Sequence, residues 1–102
     1  MLDAATEAVA FLTGQQRQSL DKERKLALAV VRSIEVIGEA CARVTKSCQD
    51  AHPEVPWSQI IAMRNRLIHA YFDIDLDRVW DTVQDDLPPL ITALERILSS
   101  CP

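Results

Sequence analysis

The chain has 102 residues, 48% apolar and 25% charged, with two Gly and five Pro. That excludes disordered, low-complexity and collagen-like classes and predicts one domain over residues 1–102. Eleven basic against fifteen acidic residues give a net charge of −4, which argues against nonspecific nucleic-acid binding over a broad basic surface but allows a small basic site.

In chain order, Leu2–Thr13 reads as a first helix stopped by Gly14, and Gln15–Leu20 as a turn or frayed end. From Asp21 to Cys48, Leu26, Val30, Ile34, Ile37, Cys41, Val44 and Cys48 recur at spacings of three and four. This predicts one long amphipathic helix with Gly38 as its single glycine. Gln49–Val55 reads as a loop. Pro56 suits the first turn of a third helix through Trp57, Ile60, Ile61, Leu67, Ile68 and Tyr71. After a break at Asp73-Ile74-Asp75, Asp75 is a candidate N-cap for a fourth helix. Asp86 and Pro88-Pro89 then restart a last one. No strand alternation or repeat is visible, so the expected fold is an all-α bundle of four to five helices. No apolar run nears the roughly 18 residues of a membrane span, and Met1-Leu2-Asp3 opens without the basic stretch of a secretory signal. No membrane association and a cytoplasmic location are expected.

Cys41, Cys48 and Cys101 form no CxxC pair, and there are two His residues. No metal site and no cofactor are expected. Cys41 and Cys48, seven apart, fall on one helix face as small core residues. Two helix faces stand out. Arg32, Glu35, Glu39 and Arg43 form a charged stripe edged by Leu28 and Val36, which reads as a solvated face of weak ion pairs or as a surface for a partner chain. Val31, Leu28 and Val36 are left over from the core stripe and point to dimerisation.

On the third helix, Trp57, Ile60, Ile61, Leu67, Ile68 and Tyr71 all lie within about 60° of Arg64. A guanidinium amid apolar groups requires an acidic partner such as Glu35 or Glu39, or an open cleft that binds an anion. His69 lies about 140° from Arg64 on an ideal helix, nearer Asn65 and Arg66. It is either an ordinary surface residue or a general acid/base. Pairing it with Arg64 requires the helix to end or bend before His69, or a second chain.

The stretch Met63-Arg64-Asn65-Arg66-Leu67-Ile68-His69-Ala70-Tyr71-Phe72 resembles the signature of the HEPN superfamily, and more narrowly the HepT-like toxin ribonucleases, marked by Arg-x4-His-x-Tyr. Ile34 to Ala40, Pro53 to Trp57 with Ile60-Ile61, Val79 to Asp81 and Asp86 to Pro88 resemble the family's flanking segments in order. The likeness covers about Ala27 to Leu98. It implies a homodimeric helical bundle that cleaves RNA without a metal, as the endoribonuclease toxin of a type II toxin–antitoxin pair. The implied partner is a minimal nucleotidyltransferase antitoxin that in some systems attaches adenylate to the motif tyrosine. Carried over, Arg64 and His69 are catalytic, Asn65 supporting and Tyr71 the modification target; the helix wheel, not the family, adds Arg66 as a supporting residue beside His69. Arg66 has no firm counterpart in the pattern. A different class of reading is a non-catalytic helical interaction module that binds a nucleotidyltransferase partner or a nucleotide.

Overall fold

A computed structural model describes residues 1–69 and 74–100, with residues 68, 69 and 100 by their backbone alone. The described residues are helical, with no strand among them: α1 (Leu2–Leu12), α2 (Ser19–Lys22), α3 (Arg24–Arg43), α4 (Lys46–Ala51), α5 (Trp57–His69), α6 (Leu76–Asp81) and α7 (Leu87–Ser100). The all-α expectation holds.

Helix α3 is the central element, packed most extensively against α5 on one side and α1 on the other. Its apolar stripe supplies Ala27, Val30, Val31, Ile34, Ile37 and Cys41 to the core, all buried. Ala4, Ala5 and Ala8 of α1 are also buried; small side chains let α1 lie close to α3 and α7. Gly14, at φ +78°, turns the chain after α1 through backbone geometry that a Cβ disfavours. Val31 is 5% exposed and belongs to the core, so it is not left over for a partner. Leu28, at 49%, is exposed, and Val36 is half-buried against the core.

The long second helix is shorter than its periodicity predicts. At Val44 the backbone turns to φ −70°, ψ 135°, and Thr45 caps a new helix, its side chain accepting from Cys48 N at 3.2 Å. Gln49 Nε2 donates to the carbonyls of Cys41 and Val44, each at 3.2 Å. The new helix thus satisfies two acceptors at the end of the old one. The turn sends Cys48 outward: Cys41 is buried and Cys48 exposed, which corrects the expectation that both are core residues.

The opposite correction applies near the C-terminus. Asp75 caps α6 as expected, its Oδ1 accepting from Arg78 N at 3.2 Å. No new start occurs at Asp86 and Pro88-Pro89, however. A π-helical segment, Thr82–Asp86, carries α6 into α7 without a break. Leu87 N donates to the Thr82 carbonyl, a five-residue span. The prolines lack N–H groups, so the carbonyls one turn before them have no α-helical donor. Those carbonyls lie on a segment whose Gln84, Asp85 and Asp86 are exposed to water, where the loss is tolerated.

Candidate active site

Helix α5 begins on well-made local bonds. Ile60 N donates to the Pro56 carbonyl at 3.1 Å, and the Trp57 indole donates to the His52 carbonyl at 3.0 Å. The helix continues through His69, so it does not end before that residue. Met63 and Leu67 are its buried anchors against the core, while Trp57, Ile60 and Ile61 are half-buried.

Arg64 sits where α5 crosses α3, at Gly38. Gly38 is buried in mid-helix, a position where glycine costs about 1 kcal/mol relative to alanine. The close approach of α5 explains it. A methyl group at position 38 would overlap Arg64 Cβ, stand 2.6 Å from Arg64 Cγ and lie 3.4 Å from the Ile60 carbonyl oxygen. Only a bare Cα admits the arginine stem.

The Nε of Arg64 is buried and makes no hydrogen bond among the described residues. No described carboxylate lies within ion-pair distance of it. The expected partners are engaged elsewhere: Arg32 Nη1 stands 3.4 Å from Glu35 Oε2 and 4.0 Å from Glu39 Oε1. The charged stripe of α3 therefore satisfies itself, and Arg43 is exposed without an ion pair to a described residue. The Nε–H has thus given up water with no described acceptor in exchange.

The other predicted site residues are spread out. Asn65 and Arg66 are exposed. Arg66 is about 200° around the helix from Arg64 and lines a different feature, a groove of about 920 Å³ between α5 and the α6–α7 segment. The two arginines therefore do not share one cleft within the chain. The groove also carries Arg78, Glu54, Asp81, Asp85 and Asp86 over a floor that includes Ile34 and Ile37. With acids outnumbering bases, it is a poor track for a polyanion. The side chain of His69 and the whole of Tyr71 lie outside the described residues. Sequence reading placed Gly38 in the segment from Ile34 to Ala40 but gave it no role; the signal of its contact with Arg64 was a lone glycine inside a strong helix.

Among the described residues no group of three His, Cys, Asp or Glu could hold a metal ion, and no helix is long and apolar enough to cross a membrane.

Fold and site together define a protein that is all-α over its described residues, with an arginine at the crossing of two central helices whose buried Nε has no described hydrogen-bond partner. Comparison with known proteins assigns the family: the Ribonuclease HepT-like profile matches residues 1–97, and the chain belongs to the HepT-like ribonuclease family. It is 40% identical over 75 residues to the "Probable ribonuclease HepT" of Thermococcus cleftensis, covering 74% of this chain and 68% of that protein. A protein of Methanocaldococcus jannaschii named as an RNase is 30% identical over 98 residues, 96% of this chain and 81% of its own length. Another so named, from Caldanaerobacter subterraneus subsp. tengcongensis, is 39% identical over 77 residues, 76% and 69% of the two chains. No solved structure gives a significant match.

Proposed function

We propose that the protein is an endoribonuclease toxin that cleaves RNA at a site built from Arg64 and His69, without a metal ion. The observation that carries this reading is the buried Nε of Arg64, which has no hydrogen-bond partner among the described residues. An RNA phosphate supplies the missing counter-charge, and Arg64 then stabilises the negative charge that grows on the phosphorane oxygens. His69 accepts the proton of the ribose 2′-hydroxyl as its oxygen attacks the adjacent phosphorus. The 5′-oxygen of the next nucleotide leaves and takes a proton, giving a 2′,3′-cyclic phosphate and a 5′-hydroxyl end.

A helix that runs unbroken through His69 sets that residue about 140° around from Arg64. A homodimer resolves the mismatch, with Arg64 of one chain and His69 of the other facing the same phosphate. Asn65 and Arg66 act in support.

Control falls to Tyr71 and a minimal nucleotidyltransferase antitoxin. The phenol oxygen attacks the α-phosphorus of ATP, pyrophosphate leaves, and the adenylate places a phosphodiester charge in competition with RNA for Arg64.

The test is cleavage of RNA by the purified protein with and without EDTA, analysed for end groups. Undiminished cleavage in EDTA with 2′,3′-cyclic phosphate ends is expected. A 3′-hydroxyl product, or no cleavage at all, overturns the mechanism; absence of cleavage with tight binding of a nucleotidyltransferase favours the non-catalytic module.

A further inference from the structure

Gly38 lies on α3, 26 positions from Arg64 and outside the Arg-x4-His-x-Tyr motif, yet the two meet at the helix crossing. We propose that Gly38 is a positioning residue for the reaction: its missing side chain is the seat that fixes Arg64 in the orientation an RNA phosphate meets. The inference rests on the reading of Arg64 as catalytic and adds a second residue to it.

Three observations carry it. The stem of Arg64 occupies the space where a Cβ of residue 38 would be, with Cβ and Cγ both inside the overlap. These are the atoms nearest the backbone, so no rotation of the far end of the side chain relieves the clash; α5 or the arginine itself must move. Second, Nε is buried without a hydrogen bond to a described residue. No described polar partner holds the guanidinium from that side, so its placement depends on the fit of the stem against α3. Third, Glu35 and Glu39, which flank Gly38, are held by Arg32, so no described carboxylate pulls Arg64 off its seat. A guanidinium placed by packing keeps its charge for the substrate, whereas one placed by an ion pair must first give up its partner.

Moving the arginine by about 1 Å is enough to lower turnover about 100-fold. The experiment compares the full-length parent with Gly38→Ala, Arg64→Ala and the Gly38→Ala/Arg64→Gly pair. It reads kcat and KM for RNA cleavage, helicity, and solvent exchange of the Arg64 Nε–H by NMR. In the parent, Nε–H is expected to exchange slowly. In folded Gly38→Ala it is expected to exchange fast, with kcat down about 100-fold and KM for RNA changed far less. Parental helicity in the same sample separates this outcome from loss of fold, which lowers helicity along with kcat. Slow exchange and parental kcat in Gly38→Ala overturn the inference. If Gly38→Ala does not fold, the Gly38→Ala/Arg64→Gly pair decides: with the stem removed, the methyl fits, so a folded pair supports the seat and an unfolded pair overturns it. Parental cleavage by Arg64→Ala rejects the catalytic reading itself, and with it the role of Gly38 in turnover, while the NMR exchange still reports whether Gly38 seats the arginine.

Discussion

The two cysteines given a structural setting show what burial does to one side chain. Cys41 is fully enclosed, its Sγ 3.6 Å from Met1 Sδ, and burial pushes its thiol up to about 11 from an ordinary 9.0, against a small opposing pull from the chain's amino terminus. The thiolate is the reactive form, so maleimide near neutral pH is expected to label exposed Cys48 in the native protein and spare Cys41. Mass spectrometry of the digested adduct checks this, and rapid labelling of Cys41 contradicts the packing. The raised value also sets a direction for stability. The folded state holds the proton more tightly than the unfolded chain, so this contribution is complete below about 9 and lost as pH rises through about 11. At the proposed catalytic pair, His69→Ala is expected to lower cleavage about 10²–10⁴-fold and Arg64→Ala about 10²–10³-fold. Arg64→Ala is also expected to leave the melting temperature equal or higher, because it removes a buried, unbonded Nε–H. A marked fall in melting temperature would show that the packing of the stem at Gly38 outweighs the cost of the unbonded Nε–H.

Among the elements, α6 depends most visibly on one side chain. Asp75 caps a helix of six residues whose single buried residue is Val79. Asp75→Ala is expected to cost about 1 kcal/mol and Asp75→Asn far less, since asparagine caps nearly as well; urea denaturation of the three proteins measures the difference. Equal loss from both would assign the role to charge, not to the hydrogen bond. Arg17 adds a longer tie from the α1–α2 connection, bonding Asp77 at 2.5 Å and Asp21 at 3.1 Å. The bond to Asp77 is the main cause of its raised pKa. Sequence periodicity located these elements well and their ends poorly. Thr45 is a good cap residue, but the apolar spacing runs straight across it from Cys41 to Cys48 and hid the boundary. Two adjacent prolines signalled a restart, whereas a π-helical turn absorbs them, because a five-residue hydrogen-bond span leaves room where α-helical spacing does not.

At the scale of the molecule, the expectation is a homodimer, which the composite site requires. Leu28 is half exposed beside the charged stripe of α3, and α5 presents Asn65 and Arg66 outward. Light scattering at micromolar concentration is expected to give twice the chain mass. A cleaving monomer would remove the shared site, and Arg64 and His69 would then have to meet within one chain. Mixing Arg64→Ala with His69→Ala supplies the complementary test. Heterodimers carry one intact composite site, so the mixture is expected to cleave far faster than either variant alone.

The sequence by itself determined the helical class, the cap at Asp75, the start of a helix beside Pro56, the core stripe of α3 and the family motif. Each of these depends on residues close together in the chain or on a fixed helical period. It also showed that Arg64 needs an answer, since a charge among apolar neighbours is visible on one helix wheel. What answers it was decided by tertiary structure alone. Glu35 and Glu39 are within reach of Arg32 on their own helix, and a local partner costs less ordering than a distant one. Gly38 and Arg64 meet only because α3 and α5 cross there, and no period within either helix encodes the position of that crossing.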